Sequence, residues 1–219
     1  MPLTICIDPG HGGYDPGAVN RTDGTKEKDI TLIVGMELKE LLESQGVSVV
    51  MTRTSDNSPG GIKTLNAELQ KRCDICNASK ADLFLSLHVN AGGGVGAEAY
   101  VWPGGRSSTV AASLMAVLSP IMGVHGEAVK DGGPNGRNFK VICDTNPPAV
   151  LLELGFIDSS DLTKIKANLH NFAGVLAAPL GKFLGGKVPP SIPDHVVTKL
   201  ELEQAINDLR AEMMSLIRK

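Results

Sequence analysis

The chain has 219 residues, of which 42% are hydrophobic and 21% are charged, a composition that predicts a folded protein with a substantial core. Collagen, low-complexity disorder and a membrane bundle are excluded. The formal net charge of −3 provides no overall positive field for nucleic acid, and one Trp, two Tyr and five Phe are too few for a platform that stacks single strands.

The amino terminus, residues 1–8, has no basic start followed by a long apolar run, so it does not resemble a secretory signal. No segment approaches the roughly 18 to 20 apolar residues that cross a bilayer. We therefore expect a protein with no membrane span that is made in the cytoplasm without a signal peptide. In that reducing compartment its four cysteines are expected to be free thiols.

Short apolar runs alternate along the chain with amphipathic stretches. The sequence predicts strands at 3–7, 47–52, 82–88, 97–102, 139–142 and 149–154. It predicts helices from Asp29, as the N-cap, to Gly46, and over 62–76, 109–118 and 162–184. This alternation predicts an α/β fold with helices on both faces of a mainly parallel sheet.

The composition changes after Gly185. Residues 187–194 include three prolines, which is typical of a stiff, extended linker. Residues 195–219 lack Gly and Pro and predict a short coiled-coil-like helix, whose seam is formed by Leu202, Ile206, Leu209, Met213 and Leu216. We therefore predict a folded domain over 1–186, a linker over 187–194, and a helix over 195–219 that supports a weak homodimer.

Ionisable residues occur where predicted strands end. His11 follows the first strand, His88 closes the third and Glu153 closes the last. Ligands of open parallel sheets gather at the carboxyl ends of the strands, and Glu27, just before a predicted helix, can join the same edge. Two imidazoles and one carboxylate, with a position left for water, are typical of catalytic zinc. The spacing alone leaves the site open, because the four residues are scattered along the chain.

Glu153 interrupts an apolar strand, where an unpaired carboxylate is costly to bury. A polar cleft or a metal would explain it, and a glutamate beside zinc is suited to act as a general base on water. Glu27 lies in a Lys-Glu-Lys-Asp run, so on its own it is equally well explained as a solvated charge at a helix start. Cys73 and Cys76 have the spacing of a redox pair or zinc ligands, but they continue the apolar face of the predicted helix 62–76, which favours core packing.

Five segments, in order, resemble the motifs of the zinc-dependent N-acetylmuramoyl-L-alanine amidases of the amidase-3 family: 8–13, 26–29, 52–56, 81–90 and 148–156. The resemblance covers roughly residues 3–184, so it implies that 1–186 is the catalytic domain. It implies that His11, Glu27 and His88 bind Zn²⁺ and that Glu153 is the catalytic glutamate. It also implies three layers around a twisted, mostly parallel six-stranded sheet.

The activity that the resemblance implies is hydrolysis of peptidoglycan, at the amide between the lactyl group of N-acetylmuramic acid and the L-alanine of the stem peptide. Without a signal peptide, a phage or prophage endolysin that acts on the cell wall after release is expected, with an autolysin or sporulation amidase as the alternative. A glycosidase that uses Glu27 and Glu153 as a carboxylate pair is a further alternative, but it gives the two histidines no role. A non-catalytic wall- or metal-binding module is a third alternative, against which the presence of Glu153 argues.

Two neighbouring polar residues are candidates for supporting roles. Asp8 is placed to accept a hydrogen bond from an imidazole, and Asn90, two residues beyond His88, is placed to orient a ligand or the substrate.

Overall fold

A computed structural model gives the structure of the protein and describes residues 3–186. The predicted linker 187–194 and the predicted helix 195–219 lie outside the described residues. Within the described part, six strands form one sheet in the order β2-β1-β3-β6-β4-β5. The strands are β1 (Thr4–Pro9), β2 (Ser48–Met51), β3 (Leu83–Asn90), β4 (Ala97–Val101), β5 (Val124–Asp131) and β6 (Ala149–Phe156).

The sheet is mixed but mostly parallel. Strands β2, β1, β3 and β6 run parallel to one another, whereas β4 is antiparallel to β6 and parallel to β5. The helices are α1 (Glu27–Ser44), α2 (Leu65–Ser79), α3 (Gly105–Met122), α4 (Lys140–Cys143), α5 (Asp161–Asn168) and α6 (Asn171–Phe183). The α/β fold class predicted from the sequence, with six strands between layers of helices, is confirmed.

The two faces of the sheet differ because neighbouring residues of a strand point to opposite sides. On one face, β3 places Leu85 and Leu87 in the larger hydrophobic core, to which α1, α3 and α6 contribute their apolar sides. On the other face, the same strand places Phe84 in a smaller core beside α2 and α4. Ser86 and His88 follow on that second face, which is therefore apolar at one end and polar toward the carboxyl ends of the parallel strands.

One predicted strand is wrong and one strand was missed. Residues 139–142 form not a strand but the start of α4, in which the amide nitrogens of Ile142 and Cys143 both donate to the carbonyl oxygen of Phe139. The sixth strand is instead β5 at the edge of the sheet. All β5 residues are exposed or half-buried, as they are in the other edge strand β2. The strand was missed because Gly126, at φ 63°, and three charged residues leave no alternation of apolar residues to detect.

The helix predictions need three corrections. Helix α1 begins at Glu27, directly after the extended residue Lys26, and not after an Asp29 cap. The Glu27 amide, which has no partner within the helix, donates to the Ala18 carbonyl. The predicted helix 162–184 is two helices, α5 and α6, interrupted at Leu169 and His170. In α2, which begins at Leu65 rather than at residue 62, Cys73 and Cys76 pack in the smaller core as predicted, but Leu65 is 63% exposed.

Candidate metal centre

The four residues selected from the sequence lie around one cavity of about 400 Å³. His11 lies in the loop after β1, and Glu27 is the first residue of α1. His88 of β3 and Glu153 of β6 are register partners on adjacent parallel strands. Because paired residues of neighbouring strands point to the same side, both side chains enter the cavity from the sheet.

Three of these residues bring donor atoms to one point. One ligand atom from each of His11, Glu27 and His88 lies within 4.8 Å of the other two. The Glu27 Oε1 atom is 3.1 Å from Nε2 of His11 and 2.9 Å from Nδ1 of His88. Glu27 is 4% exposed, so its carboxylate is the buried centre of the group.

Further hydrogen bonds fix the Glu27 and His11 side chains. Glu27 Oε2 accepts from the Ala18 amide at 2.8 Å, and Oε1 accepts from the Val89 amide at 2.9 Å. The Nδ1 atom of His11 is 2.7 Å from Oδ2 of Asp15, which leaves Nε2 facing the centre. A carboxylate on the outer nitrogen orients the ring and selects its tautomer, as is common for histidines that bind metals.

The local charges favour a cation at the centre. Burial acts to raise the pKa of Glu27, but the hydrogen bonds and charges of His11 and His88 outweigh it and hold that pKa well below its ordinary value. Burial lowers the pKa of His11, yet the carboxylates of Glu27 and Asp15 outweigh burial and raise it to about 9. A proton on His11 or a bound cation would each offset the negative charge of Glu27 and Asp15.

Glu153 occupies a different environment from Glu27. Burial raises its pKa well above the ordinary value, and the negative charges of Glu27 and of Glu98, its register partner on β4, raise it further. Its Oε2 atom is buried and has no hydrogen-bond partner among the residues described. Glu98, by contrast, is paired with Lys130 and accepts from Tyr100. Glu153 is therefore the carboxylate with an unused oxygen beside the donor set.

Two glycines permit the close approach of the ligands. A Cβ on Gly10 would lie 2.4 Å from the His88 ring. A Cβ on Gly17, which has φ 64°, would lie 2.6 Å from Glu27 Oε2 and 2.7 Å from the His11 ring. Both positions must lack a side chain for the three donors to converge.

The donor set fits zinc. Two imidazole nitrogens and one carboxylate oxygen are the ligands that a catalytic zinc site takes from protein, and the cavity leaves the remaining side open to water or substrate. The donors also come from three separate elements, and hydrogen bonds to Asp15, Ala18 and Val89 hold His11 and Glu27 in place without the ion.

The supporting role expected of Asp8 is wrong. Asp8 binds Arg72, Thr52 and Ser86 rather than an imidazole. Asn90 lines the cavity, where its Nδ2 atom donates to Glu98 and its Oδ1 atom accepts from the Ala91 amide. One donor and one acceptor site remain on its amide group, so its role toward a ligand or the substrate stays a prediction.

Sequence reasoning missed the residue that holds His11. Asp15 lies only four residues beyond His11. A carboxylate so close in sequence to a proposed histidine ligand is a signal from which its role could have been predicted.

Fold and site together define an α/β protein that brings a His, Glu, His donor set and a separate glutamate to one cavity at the carboxyl edge of its parallel strands. A family model described as N-acetylmuramoyl-L-alanine amidase matches residues 5–171. The chain therefore belongs to the N-acetylmuramoyl-L-alanine amidase family, as its motifs predicted.

Individual relatives agree with this assignment. The chain is 39% identical over 175 residues to the sporulation-specific N-acetylmuramoyl-L-alanine amidase of Bacillus subtilis (strain 168), covering 76% of this chain and 61% of that protein. It is 37% identical over 165 residues to an endolysin of Bacillus phage SPP1, covering 74% of this chain and 57% of that protein. The chain thus spans about three fifths of the length of these relatives.

The fold matches that of a solved amidase. The catalytic domain of CwlV, an N-acetylmuramoyl-L-alanine amidase from Bacillus (Paenibacillus) polymyxa var. colistinus, superposes with a TM-score of 0.71 at 29% identity. The match covers 84% of this chain and 99% of that domain. In the part of this chain that the structure describes, no helix combines the length and apolarity needed to cross a membrane.

Proposed function

We propose that this chain is a zinc-dependent amidase that hydrolyses the amide between the lactyl group of N-acetylmuramic acid and the L-alanine of the peptidoglycan stem peptide. The observation that carries the proposal is the convergence of His11, Glu27 and His88 within 4.8 Å, in a cavity that Glu153 also lines. Membership of the amidase family supports the choice of bond.

In this proposal His11, Glu27 and His88 bind Zn²⁺, and Asp15 holds the His11 ring in place. When bound, zinc lowers the pKa of a coordinated water toward about 7 and polarises a carbonyl oxygen. Glu153 is the general base: its Oε2 atom takes a proton from the attacking water and returns it to the nitrogen of the departing alanine. The buried, unpaired state of that oxygen supports this role.

The remaining wall of the cavity supports a peptide-like substrate. Leu69, Phe139, Val141 and Leu151 line the same cavity as the polar donors. These apolar side chains exclude water from the reacting amide and accept the methyl groups of the lactyl and alanyl units. The proposed place of action is the bacterial cell wall, in keeping with the names of the sporulation amidase and endolysin relatives.

Digestion of purified sacculi tests the reaction. We expect mass spectrometry to find free stem peptides with a new alanine amine, without new reducing sugar ends. Removal of zinc with a chelator should stop the release, and added zinc should restore it. New reducing ends would instead identify the glycosidase alternative. Wall binding without any product, from a zinc-loaded protein, would identify the binding-module alternative.

We also propose that residues 195–219 mediate weak self-association, on the basis of the heptad-like spacing of their apolar residues. Two catalytic domains on one coiled coil would gain avidity for the polymeric wall. Sedimentation of the full chain and of a version ending at Lys187 tests this. A concentration-dependent dimer of the full chain alone is expected, and two monomers at high micromolar concentration would contradict it.

A further inference from the structure

We propose that Arg53 and Arg72 are positioning residues for the metal centre, because together they bind three successive backbone carbonyls of the loop that carries His11. The loop carbonyls are those of Pro9, Gly10 and His11. The inference rests on the proposed zinc site. It concerns neither a ligand nor a group that touches substrate, but the backbone that determines where the His11 imidazole points.

Arg72 reaches the loop from α2. Its Nη1 atom donates to the Pro9 carbonyl at 2.9 Å, and its Nη2 atom donates to the His11 carbonyl at 2.7 Å. The side chain is 2% exposed, and its charge is balanced by Asp8, at 2.6 Å, and by Glu68. One guanidinium thus connects the two ends of the three-residue segment.

Arg53 reaches the same segment from the chain that follows β2. Its Nε atom donates to the Pro9 carbonyl at 2.8 Å and its Nη2 atom to the Gly10 carbonyl at 3.0 Å. The same Nη2 atom donates to the Lys28 carbonyl at 2.7 Å. Lys28 follows Glu27 at the start of α1, so Arg53 also links the His11 loop to the backbone beside a second ligand.

The loop conformation explains why such binding is needed. His11 has φ 62°, in the left-handed region that a residue with a side chain adopts at a cost of about 1–2 kcal/mol. Gly12 and Gly13, at φ 131° and 58°, continue this irregular backbone. Pro9 ends β1, so the Gly10 and His11 carbonyls lie beyond the last strand pair, and buried carbonyls need donors. The Thr31 hydroxyl donates to the Gly10 carbonyl at 2.9 Å. The two arginines supply the further donors to this segment and hold His11 in the orientation that directs Nε2 toward Glu27.

The way Arg53 is buried points to this role rather than to ion pairing. Arg53 is 3% exposed, yet no carboxylate lies within ion-pair distance of it in the described range 3–186. Burial lowers its pKa to about 10, which shows the cost of keeping this charge inside. The hydrogen-bond partners of Arg53 are backbone carbonyls and the Thr31 hydroxyl, whose oxygen is 3.1 Å from Nη2. A flat guanidinium fork can bind several carbonyls at once, whereas a lysine ammonium cannot reproduce that arrangement.

The test uses the full chain and measures zinc affinity by competition with a chelator, alongside the melting temperature of the metal-free protein. The variants are Arg53→Lys and Arg72→Lys, which retain the charge but lose the fork. The matched control is Thr52→Val, which removes the 2.5 Å hydrogen bond from Thr52 to Asp8 in the same buried network without removing a donor to the loop carbonyls. This control shows how much the zinc affinity changes when stability alone is reduced.

We expect each lysine variant to bind zinc about 10- to 100-fold more weakly, the usual effect of changing residues that orient metal ligands. The control should retain wild-type affinity within about twofold, even where its melting temperature falls as far as theirs. The proposal is overturned if both lysine variants bind zinc as tightly as the wild type, or if affinity falls in proportion to melting temperature in all three variants. It is also overturned if neither lysine variant folds, because the arginines then serve the fold. A wild-type chain that binds no zinc would instead contradict the proposed function.

Discussion

The two faces of the central sheet use the same strands for different purposes. On the face covered by α1, α3 and α6, the alternate residues of β1, β3, β4 and β6 are apolar and buried. On the opposite face, within residues 3–186, α2 and the four-residue helix α4 are the helices that pack against the sheet, and they leave part of it uncovered. There the strands carry Asp8, Ser86, His88, Glu98 and Glu153 toward one edge.

Because of this difference, one residue of a strand contributes to stability while its immediate neighbour faces the site. Leu152 and Glu153 are neighbours in β6, but Leu152 is fully buried in the larger core and Glu153 enters the cavity. A protein that needs a rigid site benefits from this arrangement, since the apolar face fixes the strand and the strand fixes the carboxylate. The comparison predicts that substitutions one residue apart affect different measurements.

The largest expected effect is on the cavity side, from Glu153→Gln. Loss of a positioned general base should lower kcat/KM at least about a hundredfold. The variant should retain zinc and the wild-type melting temperature, because glutamine has the shape of glutamate and the replaced Oε2 atom has no hydrogen-bond partner among the described residues. Metal analysis beside the rate measurement is the check. Loss of zinc in this variant would show that Glu153 is a ligand.

The next effect lies on the apolar face, from Leu152→Ala. Truncation of a fully buried leucine leaves a cavity and should cost about 2–5 kcal/mol of unfolding free energy, measured by urea titration. The rate per zinc-loaded, folded molecule should stay within about threefold of the wild type. A large fall in that rate at full zinc occupancy would mean that the two faces are coupled more strongly than the structure indicates.

Most of the fold was predictable from the sequence because buried parallel strands are continuous apolar runs. Strands β1, β3, β4 and β6 are buried and were predicted from such runs. The two edge strands are both exposed or half-buried, but β2 was predicted from the β-branched residues in 47–52, whereas β5 has a glycine and three charged residues and was missed. The short run 139–142 was misassigned because four apolar-rich residues do not distinguish a strand from one helical turn, and here Phe139 accepts helical hydrogen bonds.

The site was predictable to a different depth. The positions of His11, His88 and Glu153 follow from strand ends, and the motifs added Glu27. The spacing of residues along the sequence does not show which loops and helices come into contact over long range. Arg72 meets His11 across a sequence separation of 61, and nothing in either segment indicates that a guanidinium on α2 binds that carbonyl.

The buried network beneath the loop predicts an acid-dependent loss of stability. Burial would raise the pKa of Asp8, but Arg72 and the hydrogen bonds from Thr52 and Ser86 lower it below its ordinary value. The unfolded chain therefore binds more protons below about pH 4, so this stabilisation is present above that pH and is lost as pH falls through the folded-state pKa.

Thr52→Val measures the contribution of one hydrogen bond to that network. It should lower the unfolding free energy at pH 7 by about 1–3 kcal/mol, the range for a bond to a charged group. It should also make the acid-dependent loss of stability smaller and complete at a higher pH, because the folded-state pKa of Asp8 moves toward its unfolded value when a donor is removed. Urea titrations between pH 7 and pH 3 are the measurement. An unchanged pH profile would show that Thr52 does not contribute to the titration of Asp8.

The smallest expected effect lies outside both faces, on the solvent side of α1. Lys39 and Glu43 form an ion pair of 2.7 Å one helical turn apart, and both side chains are partly exposed. Because water and salt screen such a pair, Lys39→Ala should change the unfolding free energy by less than about 0.5 kcal/mol and leave kcat/KM unchanged. A double-mutant cycle with Glu43→Ala, at low and high salt, isolates the interaction. A coupling above about 1 kcal/mol that persists in high salt would place this surface pair among the contacts that hold α1, and with it Glu27, against the sheet.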